Sequence, residues 1–170
     1  MAVSSFISFV PAKPEDFDYF YDLRKRTMME HFVCAGKGWP EHQEFRLHRE
    51  AFEDNFAFLR MVHLDGERIG FLIVAPHADG VIVERFCIEP AYQNRGIGTD
   101  VMNMALAEPE IYGKTIYVDV LHQNPAIHIY ERLGFCRYTP EDTGDGKLSF
   151  YKLVPKMERK RKLVPLTQKP

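Results

Sequence analysis

The sequence predicts a single mixed α/β domain, a sheet with helices packed on its faces, and three observations lead there. Two Asp-Gly dipeptides, Asp65-Gly66 and Asp79-Gly80, join three β-rich runs, which makes that half of the sheet antiparallel. Beyond residue 81 a strand, an amphipathic helix and another strand follow, a β-α-β unit that lays its two strands parallel. The 170 residues, 45% apolar and 27% charged, suit one such domain with a core that needs no disulfide or metal.

Each element follows from local chemistry. A first strand covers 4–10 and is closed by Pro11 and Pro14. Phe17, Phe20, Tyr21, Met28 and Phe32 recur at helical spacing and predict a helix over 15–32. The segment Cys34-Ala-Gly-Lys-Gly-Trp39-Pro40 ends it, and a second helix covers 41–54. Strands over 56–64, 68–75 and 81–88 are joined by the two Asp-Gly turns, the last ending before Pro90. A helix over 96–108 presents Ile97, Val101, Met104 and Ala105 as its apolar face. A β-branched and aromatic run over 114–121 reads as a strand. A short helix over 124–133 stops at Gly134, placed just past the helix end. Strands over 135–139 and 147–153 close the domain as a hairpin around Gly144-Asp145-Gly146. The order is β-α-α-β-β-β-α-β-α-β-β. The domain spans 1–154, and 155–170 form a basic C-terminal tail.

Composition narrows the partners. The net charge is −2, so the chain as a whole is no nucleic-acid binder. Residues 152–170 carry seven cations and one anion; the other 151 carry 15 cations and 23 anions. An acidic body modestly favours cationic ligands, and the basic tail reads as a solvated segment or a docking arm. No apolar run approaches the roughly 20 residues that span a bilayer, and the N-terminus lacks a signal peptide's charged start, so no membrane partner is expected. Cys34, Cys87 and Cys136, an odd set without a CxxC pair, read as reduced thiols and place the protein in the cytoplasm. The seven histidines form no HExxH and no ligand cluster, so no metal site is expected.

Two motifs carry chemistry. Gln93-Asn94-Arg95-Gly96-Ile97-Gly98-Thr99 lies between a strand and a helix. Its glycines allow a tight turn, and free N–H groups at the helix start favour phosphate, with Arg95 adding charge. The same pattern also serves as a plain helix start. It is neither a dinucleotide fingerprint, since Val101 stands where a third glycine would, nor a P-loop. After the next strand comes Asn124-Pro-Ala126-Ile-His-Ile-Tyr130-Glu-Arg-Leu133-Gly134-Phe135.

Together, QxxGxG followed by NxxAxxxYxxLGF strongly resembles the GNAT superfamily of acetyl-CoA-dependent N-acetyltransferases, most closely over 81–135. The resemblance implies that Gln93, Asn94, Arg95, Gly96, Ile97, Gly98 and Thr99 bind the CoA pyrophosphate. Cys87 and Ile88 should offer main-chain groups to the pantetheine arm, which requires the strands starting near 81 and 114 to splay apart. Asn124 should hydrogen-bond the pantetheine region, Ala126 should lie near the cofactor, and Tyr130 should sit near the thioester sulfur. Similar proteins are commonly homodimers.

The reaction so implied is attack of an amine on a thioester. At pH 7 about one alkylammonium in 2,500 is deprotonated, so a group or water must take its proton. The backbone near Cys87 and Ile88 could stabilise the oxyanion. Tyr130 is either the acid that protonates the departing thiolate or a packed aromatic. Glu84 is the candidate base: strand alternation puts it with Ile82, Phe86 and Ile88, apolar neighbours that would raise its pKa. Its alternative is an ion-paired structural glutamate. His31, Glu44 and Asp119 are further candidates. The acceptor pocket should lie between the first two helices, lined by His31, Trp39 and Tyr21, with Arg24 and Arg26 as anion contacts. Trp39 could equally anchor the loop. The sequence supports an N-acetyltransferase acting on a small-molecule primary amine. A protein or peptide N-acetyltransferase and a non-catalytic CoA-binding module are the alternatives.

Overall fold

A computed structural model describes residues 6–141, 144 and 146–155. The basic tail apart from Pro155, and the turn residue Asp145, lie outside the described residues.

Strand β1 (Ile7–Pro11) is followed by α1 (Phe17–Cys34), α2 (Glu41–Asp54), β2 (Leu59–Leu64), β3 (Glu67–His77) and β4 (Gly80–Ile88). Then come α3 (Ile97–Leu106), β5 (Thr115–Leu121), α4 (Ile127–Arg132), β6 (Cys136–Tyr138) and β7 (Leu148–Leu153). The element order is the one expected. Seven strands form one sheet in the order β1-β2-β3-β4-β5-β7-β6. β4 and β5 are its parallel pair, and every other neighbour is antiparallel.

Helices cover both faces. On one, Ile97, Val101, Met102 and Ala105 of α3 and Tyr130 of α4 pack with Val62, Leu72, Val81 and Val83. On the other, Phe17, Phe20 and Leu23 of α1 and Phe52 of α2 pack with Met61, Phe71, Ile73 and Ile82. Phe20 is fully buried, its ring 4.5 Å from Phe71 and 5.4 Å from Phe52. Burial of one such ring contributes about 1.5–3 kcal/mol.

Three expectations need correction. Phe56–Phe58 form a 3-10 turn, so β2 starts at Leu59 rather than at 56. The buried face of α3 contains Met102, while Met104 is exposed. At about 100° per residue the buried arc runs from Ile97 through Val101 and Ala105 to Met102, leaving Met104 at its edge. Strand alternation also fails within β4. Arg85 pairs with Ile73 and Val83 with the adjacent Val74, so Glu84 is the extra residue of a β-bulge. Val83 and Phe86 then share the α3 side, while Ile82 and Cys87 belong to the α1–α2 side. Glu84 is therefore separated from Phe86 and Ile88, and it is exposed rather than set among apolar neighbours.

Among the described residues no helix is long and apolar enough to cross a membrane.

Candidate active site

The site begins where two parallel strands part. β4 and β5 pair from Gly80↔Thr115 to Val83↔Val118 and no further. β4 runs on to Ile88 and β5 to Leu121, the latter held by β7 instead. The bulge at Glu84 bends β4 at this point, and the strands open a wedge between them.

The loop after β4 closes one end of the wedge. The side-chain amide of Gln93 donates to the Ile88 carbonyl at 2.8 Å, tying the loop to the strand end. Asn94 (φ 57°) and Gly96 (φ 82°) both lie in the left-handed region, and Gly96 caps α3. The first α3 bonds run from the Thr99 and Asp100 N–H groups to Gly96 O. Among the described residues, the N–H groups of Arg95, Gly96, Ile97 and Gly98 find no backbone acceptor. Such a run of N–H groups at a helix start forms an anion-binding concavity. A Cβ on Gly96 would meet nothing within 4 Å, so glycine is needed there for its φ. Gly98 serves another purpose: its Cβ would lie 3.2 Å from Ile129 Cδ1 and 3.7 Å from Phe86, so its bareness lets α3, α4 and β4 close up. Arg95 is exposed, with its guanidinium 5.6 Å from the Tyr92 ring.

These residues line a cleft of about 280 Å³. Cys87, Ile88, Gln93, Asn94, Gly96, Gly98, Thr99, Asn124 and Ala126 all reach it, and so does His31 from the last turn of α1. Asn124 is fixed at both ends of its side chain. Its Oδ1 accepts from Ala126 N at 2.9 Å, and its Nδ2 lies 3.6 Å from Met28 Sδ. The cleft thus offers free N–H groups at one end and an unpaired strand edge along its wall. That arrangement can hold a phosphate and an extended polar chain.

Tyr130 is 4% exposed, with its ring edge-on to Phe135 at 5.5 Å. Burial pushes its phenol well above the usual range; Cys87 adds to this and Arg24 opposes it. It therefore stays protonated, and it stands behind the cleft rather than among the residues that line it. Arg24 Nη1 is 3.7 Å from Cys87 Sγ, and Thr27 Oγ1 is 3.5 Å from it. Arg26 does not join Arg24. It grips Glu89 with two bonds of 2.8 and 3.0 Å and Asp22 with one of 2.7 Å, so it pins α1 to the β4 end.

Tyr21 and Trp39 do not share the cleft with His31. Tyr21 donates to Glu41 at 2.8 Å and packs on Phe45, while the Trp39 ring lies 5.4 Å from His48 and 5.5 Å from Phe32. They make an aromatic cluster that anchors the α1–α2 connection. Glu44 and His48, one helical turn apart, are both buried beneath it. Burial raises the Glu44 pKa and lowers that of His48 to about 4. Asp119 is raised by desolvation and by the neighbouring Glu84.

Sequence reasoning missed Thr27, Met28, Phe86, Pro125, His128, Ile129 and Arg132 in the cleft, and gave no role to Arg85 on the strand that leads to it. Met28 and Phe86 look like core residues in sequence. Arg85 was legible only as one charge in an apolar strand. Among the described residues there is no group of three or more side chains suited to a metal.

Comparison with known proteins agrees with this geometry. Residues 55–137 match the model of the acetyltransferase (GNAT) domain. The PaiA N-acetyltransferase of Thermoplasma acidophilum, solved in complex with coenzyme A, superimposes with a TM-score of 0.63 at 16% identity. That match covers 86% of this chain and 98% of the other. The ribosomal-protein-S18-alanine N-acetyltransferase of Escherichia coli gives 0.63 at 20% identity, covering 92% and 97%. A GNAT-family acetyltransferase of Streptococcus agalactiae 2603 gives 0.69 at 16% identity, covering 88% and 96%. No curated protein matches the chain. The parted β4–β5 pair, the glycine-capped α3 and the family-model match agree that residues 55–137 form an acetyltransferase (GNAT) domain, which makes the protein an acetyl-CoA-dependent acyltransferase.

Proposed function

We propose that the protein transfers an acetyl group from acetyl-CoA to the primary amine of a small molecule. The observation that carries this reading is the end of β4–β5 pairing at Val83↔Val118, which leaves β4 unpaired on that side up to Ile88, where the chain leads into the loop of free N–H groups. In this reading Gln93, Asn94, Arg95, Gly96, Ile97, Gly98 and Thr99 hold the pyrophosphate. The open edge of Cys87 and Ile88 receives the pantetheine arm, with Asn124 and Ala126 on the opposite wall. Acetyl-CoA supplies the activated acyl group. Tyr130, kept protonated by burial, holds a proton where the thiolate departs. Glu84 and Asp119, beside each other where the strands part, would take the amine's proton through water. Their exposure suits a water-mediated relay better than a desolvated base.

Two measurements test the proposal on the full chain. Acetyl-CoA should raise the melting temperature, and thiol release should follow addition of small amines. No thermal shift at millimolar acetyl-CoA would reject the cleft assignment. Acetylation of peptide N-termini or lysines in preference to small amines would reassign the acceptor to proteins.

A further inference from the structure

The α1–α2 side of the β4 end carries two pairs of like charges set next to each other. The bulge brings consecutive residues Glu84 and Arg85 to this side. Glu84 and Asp119 are the first residues beyond the last β4–β5 pair, and the Glu84 charge adds to desolvation in raising the Asp119 pKa. Arg85 stands two residues before Cys87 on β4, and Arg24 Nη1 reaches Cys87 Sγ at 3.7 Å, so both guanidiniums border this strand end, where the Arg24 charge opposes that of Arg85. Burial, with Arg24 adding to it, pushes the Arg85 guanidinium down to about 10.

Some arginines of this fold hold a carboxylate. Arg26 has Glu89, Arg60 has Glu108 and Arg68 has Asp16. Arg24 and Arg85 have no described carboxylate within 4.0 Å, as is also true of the exposed Arg95, Arg132 and Arg137 and of Arg49, which lies over the Phe17 ring, but these two are partly buried at the β4 end. Arg24 Nε is also buried without an acceptor. Glu84 and, more weakly, the buried Glu44 offset the Arg85 charge in part, and Glu44 also senses Arg24, but neither carboxylate makes an ion pair with the two arginines. His48 adds no positive charge, since it is held neutral. It is 3% exposed, and its Nε2 finds no donor. Two partly buried guanidiniums at one strand end without an ion-pair partner are costly to fold, and a bound carboxylate would relieve that cost. A planar carboxylate matches the guanidinium fork better than any other common anion on a small amine.

We infer that the acceptor is a free amino acid, its carboxylate bound by Arg85 and Arg24 and its amino group drawn in by Glu84 and Asp119. The inference rests on the acetyl-transfer reading above and adds the substrate class. Arg24 touches Cys87 and its charge acts on Tyr130, so a carboxylate held there leaves an α-amino group, two bonds away, at the same strand end. A polyamine would meet two like charges at this wall, and a peptide N-terminus has no carboxylate next to its amine.

The test compares free amino acids with their own carboxamides as acceptors, with the full chain at saturating acetyl-CoA and thiol release as the readout. At least one acid should exceed its amide in kcat/KM by about 30-fold, the range of a lost hydrogen-bonded charge contact. Arg85→Met should erase most of that preference, and Arg85→Lys should restore part of it. The melting temperature of Arg85→Met should equal or exceed that of the wild type, whereas a merely structural arginine would lower it. Amides as good as acids, or a preference that survives Arg85→Met, would overturn the inference. So would acetylation confined to polyamines or peptides. Those outcomes leave acetyl transfer standing, provided that acetyl-CoA raises the melting temperature. If acetyl-CoA does not bind, the transferase reading and this inference both fall.

Discussion

Acid should destabilise this protein through His48. The side chain is 4% exposed, and its Nδ1–H donates to the Glu44 carbonyl at 2.7 Å. Phe20, Tyr21 and Trp39 surround the ring, and Arg24 and Arg85 add to the cost of protonating it. Burial, the larger cause, lowers its pKa from 6.5 to about 4. The folded value is depressed, so the unfolded chain takes up the proton first. The stabilisation from neutral His48 is complete above pH 6.5 and is lost as the pH falls towards 4. At about 1.36 kcal/mol per unit the whole loss is about 3 kcal/mol, of which about 2 kcal/mol has gone by pH 5. Urea denaturation of the wild type and of His48→Phe, each in a Glu44→Gln background, at pH 7.5 and pH 5 isolates this contribution, because the one carboxylate next to His48, Glu44 at 3.5 Å, is then absent from both. The stability difference between the two proteins should shift by about 2 kcal/mol in favour of the variant at pH 5. Parallel pH dependences would refute the reasoning and show that solvent reaches the imidazole.

Three further outcomes are expected. Tyr130→Phe should lower kcat at least about tenfold while leaving acetyl-CoA affinity nearly intact, as read by steady-state kinetics and calorimetric titration; unchanged kcat would remove the phenol from proton transfer. Gly98→Val should lower stability by about 1–3 kcal/mol through overpacking against Ile129 and Phe86, and weaken acetyl-CoA binding with it. Thermal melts with and without the ligand check both effects. Arg26→Ala should cost about 1 kcal/mol, since the Arg26 side chain is 41% exposed and screened. It should also raise the KM for acetyl-CoA more than it lowers kcat, because Glu89 precedes the loop proposed to hold the pyrophosphate.

The fold was legible because its punctuation is strong. Asp65-Gly66 and Asp79-Gly80 specify tight turns, Gly134 ends α4 at φ 90°, and the break from Cys34 to Pro40 places the start of α2 at Glu41. The cleft was legible for a related reason: the backbone of 93–99 does the work, and glycine spacing reveals backbone conformation directly. Side chains whose roles depend on tertiary neighbours were not legible. The β-bulge at Glu84 leaves no sequence mark, yet it exposes that carboxylate and aligns it with Arg85. Arg24 and Arg26 look alike in sequence, but Glu89, far along the chain, claims one and leaves the other without a counter-ion. Trp39 and Tyr21, expected to line the pocket, instead pack on each other and on His48, because a loop of glycines needs an aromatic anchor.

The most direct test of the account is a crystal structure of the full chain grown with acetyl-CoA. The account predicts pyrophosphate density on the N–H groups of residues 95–98 and an extended arm lying along Cys87 and Ile88, within the β4–β5 wedge. Density for the ligand elsewhere, with β4 and β5 hydrogen-bonded past Val83 and Val118, would contradict it.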